Sequence, residues 1–161
     1  MRRALVLKGG FSRAWRWGAT EGGLLNQVEA PEISTTPTLI EHVKGVTQAA
    51  CGSNHSAVVA GDLLYTWGSN KYSQLGRSST ETVGTVELEG PREVALGAFH
   101  TACVTNDGVL YTWGWGGSFL GAGALGLGHR NSCALPQKVD FFERRSRKSA
   151  TLPVAPSIRL C

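Results

Sequence analysis

Charge is scarce in this chain of 161 residues. Lysine, arginine, aspartate and glutamate make up 17% of it, below the globular level of about 25%. No stretch approaches the roughly 18 apolar residues of a membrane-spanning helix. The longest candidate, Ser56–Gly68, is broken by Gly61 and Asp62. No secretory signal is expected, and no C-x-x-C pair occurs among the cysteines at 51, 103, 133 and 161. Cys51 and Cys103 sit in apolar patterns, where a free cysteine behaves as a small buried hydrophobe. The expectation is a reducing compartment without a disulfide framework. Acids are missing from residues 1–20 and 144–161, which carry ten of the 16 basic residues. The segment between them holds six basic residues against all 12 acids. The net charge of +4 and pI near 9.1 therefore belong to the ends and do not mark a nucleic-acid-binding domain. A sustained helical period is also missing, although Thr36–Val46 leaves room for one turn.

Glycine is abundant instead, at 21 residues, nearly twice the usual share of roughly 7%. So many turns in a chain rich in Val, Leu and Trp imply short strands. The string LYTWG occurs twice, at Leu64–Gly68 and Leu110–Gly114. The match extends upstream: Gly52 and His55 align with Gly97 and His100, and Trp67 aligns with Trp113. The second copy is one residue longer, and the extra residue falls in the turn Asn106-Asp107-Gly108, where positive φ is cheap. A worn third copy precedes these, with Trp17-Gly18 in the place of Trp67-Gly68 and no G-x-x-H of its own. It starts in the middle of a unit. A period of about 45–50 residues built from short strands is the mark of a propeller blade. LYTWG then repeats because it is one strand of successive blades. Its Trp fills the space between blades, and its Gly lets the chain leave the strand sharply. Single blades cannot bury both faces, so they stack and share a core.

In "ACGSNHSAVV…LLYTWGSNKYSQLG" and "ALGAFHTACV…GVLYTWGWG…GALGLGH" the chain resembles the regulator of chromosome condensation repeat. The signature of that family is C-G-x-x-H-[ST], then D-G-x-L-Y-x-W-G, then a Q-L-G-L-G loop leading to Pro and a strand. The resemblance covers residues 3 to about 142. It implies an all-β fold, an incomplete β-propeller of about three four-stranded blades from a seven-bladed family. Residues 1–142 would form the propeller repeats and 143–161 a basic, disordered tail. Leu96 departs from the pattern, standing where the second copy would want Cys, and Thr20–Leu24 replaces the usual loop polarity. After Phe142 the expected next repeat gives way to "ERRSRKSATLPVAPSIRLC", as in a fragment or a truncated form. Open edges on such an arc imply a chain that is not a stable solitary monomer.

The equivalent positions Gly52, His55, Trp67, Gly68, Gly97, His100, Trp113 and Gly114 are read as structural repeat residues. The two histidines would pin a strand turn through neighbouring backbone. The G-x-G-x-x-G match at Gly121–Gly126 has no helix start after it and reaches Pro136 soon, so it is an enlarged loop and not a dinucleotide site. His42 and His129 have no companions at ligand spacing. Ser53, Ser56 and Ser73 lack a nucleophile elbow. No catalytic, cofactor or metal residue is expected. "WGWGGSFLGAGALG" adds Trp115, Phe119 and Leu120 to a loop that is polar in the previous repeat, which makes these three the candidate partner contacts. Arg144–Lys148 reads as a solvated tail, with nuclear import or nucleic-acid contact as the alternative. Residues 1–20 have the composition of a mitochondrial presequence, yet "ALVLKGG" aligns as a strand.

Two functions follow from the resemblance. One is a non-enzymatic protein-interaction scaffold, the reading favoured here. The other is a guanine-nucleotide exchange factor, or the remnant of one, for a Ran-type small GTPase. The partner is another protein chain, either a small GTPase or a chain completing the propeller. Nucleic acid would be met only through the basic termini, and the expected location is the cytoplasm or nucleus.

Overall fold

The computed structural model describes residues 3–7, 13–19, 33–41, 43–78, 83–117 and 123–140. Every regular element among them is a strand. The first sheet, blade 1, contains β1 (Arg3–Leu7), β2 (Arg13–Ala19) and β3 (Ile33–Leu39). Blade 2 contains β4 (Val46–Cys51), β5 (His55–Ala60), β6 (Leu63–Gly68) and β7 (Val83–Val86). Blade 3 contains β8 (Pro91–Leu96), β9 (His100–Thr105), β10 (Leu110–Gly114) and β11 (Cys133–Lys138). Each sheet is an antiparallel meander whose neighbours follow chain order. The propeller-blade architecture is therefore the one the repeat implies. Blade 1 differs in having three strands among the described residues. Its strands correspond to β5, β6 and β7, in keeping with a copy that starts mid-unit. Among the described residues of Thr36–Val46 there is no helical turn, and Thr36 to Leu39 complete β3 instead.

The turns explain the pairing. Ala60 faces Leu63 across Gly61-Asp62, and Gly61 has φ +58°, so two residues reverse the chain. In blade 3 the longer turn closes with Gly108 at φ +77° and its N–H on the Thr105 carbonyl at 2.9 Å. Bulges recur at matching places. The register slips between Val46 and Gln48 in blade 2 and between Pro91 and Glu93 in blade 3.

Two apolar cores lie between the three sheets. Ala14, Ile40, Val43, Val46, Val58, Ala60 and Trp67 pack between blades 1 and 2. Ala57, Val59, Leu64, Val86, Val94, Cys103 and Trp113 pack between blades 2 and 3. Alternation along β5 sends Val58 and Ala60 to one core and Ala57 and Val59 to the other. All six residues of β5 are consequently buried. Each LYTWG tryptophan faces the preceding blade, with Trp67 at 6% exposure and Trp113 at 0%.

Candidate functional site

The repeat residues come together at the blade junction. His55 is fully buried, and its Nε2 lies 2.9 Å from Thr101 Oγ1 in the next blade. The Thr101 hydroxyl donates to the Gln74 carbonyl at 2.8 Å, which leaves its oxygen to accept from His55 Nε2–H. Trp113 Nε1 donates to the same carbonyl at 3.0 Å. His55 thus reaches across blades, beyond the turn assigned to it from sequence. His100 sits in matching local surroundings. Gly52 N–H bonds the His55 carbonyl and Gly97 N–H bonds the His100 carbonyl, both at 2.9 Å. Each histidine ring lies where a Cβ on its glycine would be. Burial holds the His100 imidazole below its ordinary 6.5. Gly68 and Gly114 end their strands at φ +106° and +99°.

Trp115 extends this junction outward. Its N–H bonds the Phe99 carbonyl at 2.9 Å. The Phe99 ring meets the Trp115 ring edge-on at 6.1 Å and tilts against Tyr72 of blade 2 at 4.8 Å. Lys71 Nζ stands 5.6 Å from the centroid of the Tyr72 ring. All three rings are half-buried and Lys71 is exposed, so the cluster forms an aromatic strip with a cation beside it, spanning two blades. The matching backbone bond in blade 2 runs from Ser69 N–H to the Asn54 carbonyl at 2.8 Å. Blade 2 therefore makes this loop contact with small polar residues where blade 3 uses Trp115 and Phe99. The fold does not require aromatics there.

Of the three contact residues expected from sequence, Trp115 lies in this strip, while Phe119 and Leu120 lie outside the described residues, as does the tail 143–161. Tyr72, Phe99 and Lys71 were not singled out from sequence. Their signal is positional: Phe99 fills a variable place in G-x-x-H, and Tyr72 lies in a loop that reads as polar until the two blades are set side by side. Cys51, Cys103 and Cys133 are free thiols. Burial pushes the Cys103 thiol up to about 12, against the opposing pull of a backbone hydrogen bond at Arg92.

Three segments, 13–59, 62–104 and 107–151, match the regulator of chromosome condensation (RCC1) repeat, and residues 92–119 match a second model of the same repeat. The chain belongs to the RCC1 repeat family. It is 38% identical over 135 residues to the Arabidopsis thaliana ultraviolet-B receptor UVR8, a match that covers 78% of this chain and 29% of the receptor. It is 37% identical over 138 residues to the human E3 ubiquitin-protein ligase HERC2, covering 78% of this chain and 3% of the ligase. The human X-linked retinitis pigmentosa GTPase regulator is 35% identical over 104 residues, 60% of this chain and 10% of that protein. The chain thus spans less than a third of the length of each of these relatives. The crystal structure of human WBSCR16 superposes with a TM-score of 0.66 at 24% identity, over 84% of this chain and 40% of that one, a likeness of fold.

In this RCC1-repeat chain, residues 3–7 and 13–19 are strands of blade 1. The presequence-like composition thus falls on a stretch that includes these two strands, and the mitochondrial reading has no support. No helix of the described residues is long and apolar enough to cross a membrane.

Proposed function

We propose that this chain is a non-enzymatic protein-interaction scaffold of RCC1 repeats, whose partner contact is the strip Lys71, Tyr72, Phe99 and Trp115. The observation that carries this reading is the replacement of Asn54 and Ser69 by Phe99 and Trp115 at matching loop positions. Half-buried aromatics that the scaffold does not need are the usual anchors of a protein interface. Residues 1–142 serve as the repeat body in this reading, and the protein works in the cytoplasm or nucleus. HERC2 and UVR8 support a regulatory setting for RCC1 repeats. Ligase chemistry is not carried over, since the chain matches 3% of HERC2.

The test grafts the blade 2 residues onto blade 3 as Phe99→Asn with Trp115→Ser. The melting temperature is expected to stay within about 3 °C, because blade 2 shows these residues to be compatible with the fold. Proteins that co-purify with the wild-type chain and crosslink through a photoreactive residue at Tyr72 are expected to be lost. Retention of the same partners by the double variant sinks the reading. A second reading, nucleotide exchange on a small GTPase, is favoured by the GTPase-regulator relative. Its test is whether the purified chain speeds nucleotide release from a Ran-type GTPase.

A further inference from the structure

Charge is divided unevenly between the two ends of the blades. The aromatic strip lies at the end formed by the loops 52–54, 69–78, 97–99, 115–117 and 123–132. The charged side chains of these loops are Lys71, Arg77 and Arg130, and no carboxylate stands among their described residues. Arg77 is buried, whereas Lys71 and Arg130 are exposed, as is the His129 imidazole. The loops at the other end carry Glu41, Asp62, Glu87, Glu89, Asp107 and Asp140, all exposed, and among their described residues Lys44 is the one cation. The remaining described acid, Glu93, lies within β8, 3.5 Å from Arg92 Nε.

The strip is also braced. Asn70 Oδ1 accepts the Leu75 N–H at 3.0 Å and Gln74 Oε1 accepts the Tyr72 N–H at 2.8 Å, which fixes the loop that carries Lys71 and Tyr72. Gly116, next to Trp115, takes the Ala124 N–H on its carbonyl at 2.9 Å and donates its own N–H to Ser132 Oγ at 3.2 Å. These bonds tie the segment that carries Arg130 to the loop of Trp115. The rings thus adjoin two fixed loops, each with an exposed cation. A surface of this kind orders little when it binds, so more of the contact energy appears as affinity.

We propose that the partner segment taken by this strip is an acidic peptide, with an apolar side chain on the rings and Asp or Glu on either side of it. The inference rests on the reading of the strip as the partner contact. Carboxylates at this end meet Lys71 and Arg130 and no like charge among the described residues, whereas a basic peptide is drawn to the opposite end. A nucleic acid suits the strip less. The rings meet at 56° and 82° and so present no parallel stacking faces, and a strand of phosphates calls for a row of cations. The 12 acids against six bases in residues 21–143 repel a long polyanion, while a short peptide meets only the local charge.

The test is selection of a random peptide library, displayed on phage, against the immobilised full chain. Recovered peptides are expected to be enriched in Asp and Glu around Leu, Phe or Trp. A fluorescein-labelled peptide of the recovered consensus should bind roughly tenfold more weakly to Lys71→Glu with Arg130→Glu, and should weaken as salt is raised. Lys71→Gln, which removes one charge at an exposed position, should weaken it by about threefold. Recovered peptides without excess acid that still need Phe99 and Trp115 overturn the acidic partner and leave the strip as the contact. Acidic peptides that bind Phe99→Asn with Trp115→Ser as tightly as wild type overturn both readings, and a library that returns no binder overturns this one. A labelled oligothymidine that binds more tightly than the peptide, and needs the same rings, overturns the choice in favour of nucleic acid. Self-association in sedimentation that is lost in Lys71→Glu overturns it in favour of the acidic end of a second copy.

Discussion

At the scale of single residues, Trp113 has no exposed surface, packs in the core between blades 2 and 3, and spends its one donor on the Gln74 carbonyl. Trp113→Ala removes a large buried ring and is expected to cost about 3–5 kcal/mol in a denaturant titration. Trp113→Phe keeps most of the packing and loses the hydrogen bond, so its cost should be nearer 1–2 kcal/mol. Cys103 is fully buried with its thiol pushed up to about 12. An alkylating reagent at pH 8 is therefore expected to leave Cys103 unmodified in the native chain and to label it in denaturant, with mass spectrometry locating the adduct. His100 titrates below its ordinary 6.5 because burial penalises its charged form. The unfolded chain then binds the proton more readily, so this contribution to stability is whole above about pH 6.5 and is lost as pH falls through the folded value. Melting temperatures taken from pH 7.5 down to pH 5 should decline less steeply in His100→Asn than in the wild-type chain.

At the scale of elements, each LYTWG copy forms the third strand of its blade, and its tryptophan points at the preceding blade. This much was legible because a Trp-Gly pair and a G-x-x-H recur with nearly constant spacing, and only an insertion in a turn disturbs it. The strand β3 was less legible. Ile33–Leu39 contains Pro37 and three threonines, and its apolar ends carry no clean alternation, so its pairing with β2 decides its form. The aromatic strip was half legible. Trp115 is an anomaly within its own repeat, whereas Tyr72 gains meaning only from Phe99, 4.8 Å away in the next blade. Contacts between blades are set by packing, and a single repeat does not encode them. The central strand β5 is buried on both faces and flanked by β4 and β6. Its amides are expected to exchange with deuterium more slowly than those of the edge strands β7 and β11. Equal rates would contradict the described sheet order.

At the scale of the whole molecule, stability is divided between two apolar cores separated by the blade 2 sheet. Hydrogen bonds of the sheet run within each blade, and few polar links cross between blades. Those crossing the second junction converge on Gln48, Gln74, Thr101 and Trp113. Such a layered arrangement responds to mechanical load by blades. Pulled from the end of β11, blade 3 should peel away as one unit, since the last contacts to yield are the junction with β5 and the Trp113 indole. Optical tweezers should then record a discrete lengthening of about 160 Å for the span from Pro91 to Lys138 at roughly 3.4 Å per residue. The force needed at each step would then rank the two junctions, a quantity that an equilibrium melt averages away.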